Sequence, residues 1–469
     1  MPQPTSTTDP SPTPSPDPRP GRASGESVAD RRVMAVVTAL IVSITLLQRF
    51  GLPLGGVQLS VSVLVALAGL GYLLHHGDVV ENRPATRVFV LAVAAAFLCA
   101  GIVLFRTGEG AITSLVYLPV IWVVFTFRLH PARHHLYERV LARFEAFMLV
   151  FAAVGILQTA GQALGVWSYR DFVLSAVPRT VLFTGYNTSY PIEYGNPIIK
   201  ANGFVFLEPS IYAQFLAIAL LAVLVRRAAW WRVVVLAIAL VCTISGTGLL
   251  FAGFGVLLLM LRRGGRWTAR IVVAVVVAIP IALATPFGSI IAERAGETSQ
   301  TNSSGSLRFV QPYGQILQTW GDRPWSVLVG DGAGRADRLA DEIFQATRLP
   351  INFSGLAKLV LEYGLPAAVL FGVFAALALV RRSPSPTLAG AGVFANAFLT
   401  GALLQPQVLY VLVPLSSLFI GYRYEAGRDA RRDPAASGPA SGGGESGQGA
   451  PVAVTVAPAS PNGLTPPTP

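Results

Sequence analysis

Residues 201–217 read ANGFVFLEPSIYAQFLA, and the reading of the whole chain turns on them. A polar, turn-rich run passes here into an apolar one that continues to Val225. Leu207 to Val225 is about the 20 residues a helix needs to cross the hydrocarbon core of a bilayer. Glu208 stands at the mouth of that span, with Pro209 at the first helical position, where a missing N–H costs nothing. A carboxylate there has two readings. It is an anion complementing the positive end of the helix dipole, or it is a general base or ligand for a substrate hydroxyl, its pKa raised by partial burial. Lys200, eight residues earlier, either neutralises Glu208 or binds an anion; a lysine snorkelling to the membrane interface is the simpler account.

The rest of the chain has the composition such a span requires. Of 469 residues, 53% are hydrophobic and 13% charged, with a mean hydropathy of +0.57. A soluble domain carries roughly 25% charged residues, so the expected class is an all-α polytopic membrane protein. Cys99 and Cys242 both lie in apolar runs and suggest neither a disulfide framework nor a metal site. The net charge is +11, and Lys200 and Lys358 are the only lysines. The arginines flank apolar segments, a pattern of membrane orientation rather than of nucleic-acid binding. There is no GxxxxGK[ST] loop, which argues against an ATPase motor. Residues 1–30, rich in Pro, Ser and Thr, and 425–469, rich in Pro, Ala, Ser and Gly, read as disordered cytoplasmic tails.

Twelve apolar stretches are candidate spans: 33–51, 57–74, 88–105, 111–127, 144–164, 207–225, 231–245, 247–261, 271–287, 354–380, 387–404 and 406–422. Every second connection is basic, from Arg31 and Arg32 through Arg83, Arg87, Arg128 to Arg143, Arg226, Arg227, Arg232, Arg262 to Arg270, Arg381 and Arg382 to Arg423. The others hold little beyond Arg49 and Arg106. Positive charge stays inside, so both termini are expected in the cytoplasm, with the transmembrane domain over 31–424. Two long outer loops follow, about 165–206 and 288–353, the second with helical patterning over 306–320 and 335–347. Structureless loops of that length are uncommon unless functional. All five histidines fall on the inner side, leaving none to serve as base or metal ligand outside.

The second loop carries Arg294, Arg308, Arg323, Arg335, Arg338 and Arg348. Guanidinium groups suit bidentate phosphate recognition, and attraction to anionic headgroups is the plainer alternative. Gly330-Asp331-Gly332-Ala333-Gly334 is either an anion cradle or a turn. Asn352 opens the stretch that returns to the membrane. Glu362 lies within it, and the expected partner of that acid is Lys358, four residues earlier.

Three features in order resemble the O-antigen ligase/polymerase superfamily. They are Gly203-Phe204 with Glu208-Pro209-Ser210 opening a span; Ser245-Gly246-Thr247-Gly248 between two spans; and Arg308, the Gly330-to-Gly334 glycines, Asn352 and Leu361-Glu362-Tyr363-Gly364-Leu365. The resemblance covers roughly Gly165 to Leu412. It implies glycan transfer on the outer face of the cytoplasmic membrane from a polyprenyl-diphosphate-linked oligosaccharide, with no metal or other cofactor. Glu208 and Arg308 take the catalytic roles in that reading, and Lys200, Arg294, Arg323, Arg335, Asn352 and Ser245 bind substrate. Membrane lipid, a flippase and a chain-length regulator are the partners it implies, and nucleic acid is not. Ligases of the family carry a histidine before the Asn of the returning segment, where this chain has Ile351, and Lys200 stands for an arginine. Those departures favour a Wzy-like polymerase over a ligase. A transporter of lipid-linked glycans and a non-catalytic scaffold or sensor are the competing classes.

Overall fold

The computed structural model of the protein describes residues 27–54, 57–183, 185–193, 195–263 and 306–425. The expected span 271–287, Arg294, and nearly all of both expected tails lie outside the described residues.

The chain is helical and membrane-embedded. Ser27 caps α1 (Val28–Thr45) by accepting from the Asp30 amide. A hairpin of β1 (Gly51–Leu54) and β2 (Val57–Ser60) follows, then α2 (Val61–His75). The span expected at 33–51 therefore stops at Thr45, because the chain turns into paired strands. A second ribbon joins β3 (Val79–Glu81) to β4 (Phe127–Leu129) across α3 (Arg83–Thr107) and α4 (Ile112–Trp122). Next come α5 (Tyr137–Ala163), a short α6 (Phe172–Ala176), α7 (Pro209–Arg226), α8 (Trp230–Cys242) and α9 (Gly246–Arg263). The second loop folds as α10 (Ser306–Phe309), α11 (Gln311–Asp322), α12 (Ser326–Val329) and α13 (Arg335–Thr347). The last helices are α14 (Gly355–Ala375), α15 (Pro386–Phe394), α16 (Pro406–Leu409) and α17 (Leu412–Leu415). The stretch expected as one span over 406–422 is broken into short turns, and Pro414 inside it removes a backbone donor.

Among the described residues, five helical segments are long and apolar enough to cross a membrane: Arg83–Thr107, Pro131–Ala163, Pro209–Arg226, Gly246–Arg263 and Gly355–Val380. Five more apolar helical segments are shorter. The opening stretch supplies the centre of the bundle: every residue of α7 from Ile211 to Val225 is buried. A helix apolar on all sides belongs in a core. Gly248 and Gly255 let α9 lie directly on it, against Ala213 and Leu221, so the two helices run parallel and begin side by side.

The two ends of the bundle differ. At one, arginines ring buried acids: Arg32 and Arg133 meet Asp78, Arg226 and Arg232 meet Glu145, and Arg262 meets Glu425. At the other, the loops close over one another. Phe183 N–H donates to Arg49 C=O, Ala201 N–H to Cys242 C=O, Ala111 N–H to Ala333 C=O and Gly355 N–H to Thr400 C=O, at 3.0, 3.3, 2.9 and 2.7 Å.

Candidate functional site

The loop before Glu208 is positioned by glutamines. Gln158 and Gln162, one turn apart on α5, are buried where an apolar helix would leave loop amides unpaired. Gln158 Oε1 accepts from the amides of Asn202 and Gly203, and Gln162 Oε1 accepts from that of Ile199. Gln48 Oε1 accepts from the Leu207 amide. Asp171 takes a fork of hydrogen bonds from Arg49 at 2.8 and 2.7 Å and one from Thr188 at 2.6 Å. Burial by itself raises the Asp171 pKa, but the bonds from Arg49 and Thr188 hold its carboxyl below the usual value.

At the end of this frame stands Glu208, half-buried, in extended backbone. Its main chain starts α7, yet its carboxylate accepts no N–H of the helix. Ser210 Oγ donates to it at 2.9 Å. Its place at the start of α7 is the one the helix-dipole reading requires, although the side chain bonds Ser210 rather than a helix N–H. Glu208 lies close enough to Tyr186 of the first loop to act on its phenol, as does Asp337 of α13. Burial pushes that phenol well above its ordinary pKa, and the two carboxylates push it further. Lys200 sits 5.6 Å over the Tyr190 ring.

Beside Glu208, the start of α9 carries the Ser-Gly-Thr-Gly turn. Ser245 and Thr247 are both buried, and Arg308 Nη1 donates to Thr247 Oγ1 at 3.1 Å. Arg308 is half-buried and pairs with no carboxylate among the described residues, so most of its five N–H groups remain for a ligand. The backbone is strained at both helix mouths: Phe204 has φ 62° and Ile244 φ 45°, left-handed conformations that are outliers for bulky or branched residues. Strain of this kind clusters at functional sites. Two parallel helix N-termini thus lie side by side, with Arg308 at the second of them, a combination that favours a phosphate group, and Glu208 stands at the first.

The other expected residues are distributed differently. Asn352 is exposed, and its amide donates at 3.2 Å to the carbonyl of Leu307, next to Arg308. Arg323 and Arg335 are engaged by acids: Arg323 with Asp331 at 2.8 Å, Arg335 with Asp331 at 3.4 Å and Glu342 at 2.6 Å. Those pairs hold the Gly330–Gly334 turn, which docks backbone to backbone on α14. Pro366 leaves the Glu362 carbonyl without a helical donor, and the Gly332 amide fills it at 3.1 Å; the Asp331 amide meets the Leu361 carbonyl at 2.7 Å. Glu362 and Lys358 do not pair with each other, contrary to expectation. Lys358 binds Asp337, while Glu362 Oε1 accepts from the Ala336 amide at the start of α13. Unfilled N–H groups at a helix start attract a carboxylate as strongly as a lysine one turn away does.

Sequence reading missed Tyr186, Asp337 and the Arg49–Asp171 pair. The pairing of Gln158 with Gln162 inside an apolar run was the signal for a buried polar frame. Among the described residues no three His, Cys, Asp or Glu side chains converge as metal ligands would. No protein-family model matches the chain, and no curated protein sequence does.

Proposed function

We propose that the protein is a glycan polymerase. On this reading it transfers a polyprenyl-diphosphate-linked oligosaccharide onto an acceptor glycan of exopolysaccharide, capsule or O-antigen type. The observation that carries the reading is the contact of Arg308 with Thr247 at the mouth shared with Glu208. The alternation of arginines along the sequence supports a mouth at the extracytoplasmic face of the cytoplasmic membrane.

The acceptor hydroxyl oxygen attacks the anomeric carbon of the donor. The bond from that carbon to the diphosphate oxygen breaks, its electron pair leaving with the polyprenyl diphosphate, and the hydroxyl proton passes to Glu208. Negative charge grows on the diphosphate as the bond breaks. Arg308, held by Thr247 and backed by the positive ends of α7 and α9, meets that charge with donors already in place. Lys200 adds a second cation on the loop side. Asn352, whose amide bonds the carbonyl next to Arg308, and Ser245, at the start of α9, border the same mouth.

The test is reconstitution of the purified protein with a lipid-linked repeat unit. Elongated chains are expected from the wild type and not from the Arg308→Ala, Glu208→Gln double variant. If the double variant elongates as fast as the wild type, the site is elsewhere; if the wild type moves the lipid-linked unit across the bilayer without elongating it, the protein is a transporter.

A further inference from the structure

At the end of the bundle opposite Glu208, a cavity of about 410 Å³ is lined by Arg83, Arg128, Arg381 and Arg382, with Glu81 as its one acid. Its size is that of a small-molecule site, roughly 300–1,000 Å³. α3, with 25 residues and about 37 Å long, separates it from the loop end.

Three elements build the cavity. The β3–β4 ribbon sets Arg128 opposite Val80. α3 begins there, and its N-cap Asn82 gives no side-chain hydrogen bond to the helix, so the positive end of a long helix opens on the cavity. α14 runs on into a widened turn, Ala376–Val380, where the Arg381 amide reaches back five residues to the Ala376 carbonyl at 2.7 Å. Such a turn recurs at functional sites. Arg382 then adopts φ 59°, a conformation only glycine takes freely, and its carbonyl is held by the Gly421 amide at 2.8 Å.

Arg32, Arg133, Arg226, Arg232 and Arg262, at the same end, each meet a carboxylate. Among the described residues none of the four cavity arginines does, and the Arg128 Nε is buried without a hydrogen-bond partner. Four arginines, Arg128 half-buried and the other three exposed, line a space at a helix start whose one lining acid is the exposed Glu81. The group that matches them is an anion with several acceptor oxygens.

We propose that this cavity binds a phosphoryl group, borne by the headgroup of an anionic phospholipid or free in solution. The assignment does not depend on the glycan-polymerase reading. The test measures binding to the purified full-length protein in neutral detergent, by native mass spectrometry and by thermal stability, with phosphatidylglycerol, phosphatidylcholine or inorganic phosphate as probe. Phosphatidylglycerol or phosphate is expected to bind and stabilise where phosphatidylcholine does not. Phosphatidylglycerol alone makes lipid the source, and inorganic phosphate alone makes it soluble. Arg128→Gln is expected to weaken binding about tenfold or more, the loss of a charged hydrogen bond. The double variant R381Q/R382Q, at two exposed positions, serves where Arg128→Gln does not fold. Arg423→Gln, exposed at the same end and outside the cavity, is expected to leave binding unchanged. Binding of neither anion, or equal weakening by Arg423→Gln, overturns the assignment.

Discussion

Arg49 grips Asp171 through two parallel hydrogen bonds of 2.8 and 2.7 Å, across 122 residues of sequence. Both side chains are nearly buried, at 5% and 7% exposure. The pair ties the end of α1 to the loop that delivers Glu208, and Arg49 also reaches the Phe204 carbonyl at 3.4 Å. Removing one partner leaves the other charge buried and alone. Asp171→Asn or Arg49→Gln is therefore expected to cost about 3–5 kcal/mol. Thermal unfolding in detergent, with protease cleavage of the first loop as a second readout, measures it; an unchanged midpoint and an uncut loop would refute the pinning.

The same pair has a pH signature. Asp171 is held below its ordinary pKa in the folded protein, so its contribution is fully present above the unfolded value of about 3.9. It is lost as pH falls through the lower folded value. Wild type is expected to lose loop protection progressively below about pH 4. In Asp171→Asn the starting stability is lower and this part of the acid dependence is gone. Protease susceptibility across a pH series with an acid-active protease reads the difference, and parallel curves for the two proteins would exclude it.

How far these relationships were legible in the sequence depends on their range. The central helix was readable because α7 is apolar on every side, and Glu208-Pro209 marks its start. The convergence of Arg308 with the Ser-Gly-Thr-Gly turn was suggested only as an order of motifs; Gly248 against Ala213 is what brings the turn beside Glu208. Arg49 passed as a stray charge because its partner is 122 residues away. Lys358 was assigned to Glu362 by helical spacing, which ignores the competing start of α13. The first hairpin had a local signal, Gly55-Gly56 between two alternating runs, which falls in the connection between the expected spans 33–51 and 57–74.

Gly330 is expected to be irreplaceable for a steric reason. It has φ 72°, and a Cβ there would run into the carbonyl of Glu362. Gly330→Ala should separate the Gly330–Gly334 turn from α14, lowering the unfolding midpoint and exposing 323–335 to trypsin. Gly314→Ala, on α11 with open space beside it, is the control expected to do neither. Equal behaviour of the two variants would mean that the turn is not docked.

Glu208→Gln separates a structural acid from a chemical one. The carboxylate caps no helix N–H, and an amide oxygen still accepts the Ser210 hydroxyl. Stability is therefore expected to change by less than about 0.5 kcal/mol, as for substitutions away from caps and cores. Loss of a general base is expected to lower the transfer rate about 10²–10⁴-fold. Unfolding midpoint and polymer yield, measured on the same preparation, give both numbers. A large fall in stability with proportionate loss of yield would return Glu208 to a structural role.

Arg308 and Thr247 should behave as a unit if the hydroxyl orients the guanidinium. Arg308→Ala removes the donors and is expected to lower transfer about 10²–10³-fold, the usual cost of one pre-placed donor to a developing charge. Thr247→Val keeps the shape of the buried side chain and removes only the acceptor at 3.1 Å, so it should cost about tenfold or less. Once Arg308 is alanine, Thr247→Val should add nothing, because its effect passes through the arginine. The double-mutant cycle measures this directly. Additive losses would show that Thr247 acts on substrate by itself. Arg308→Lys sharpens the test: a point charge preserves electrostatic attraction but not the planar fork, and partial activity with a raised KM is the expected result.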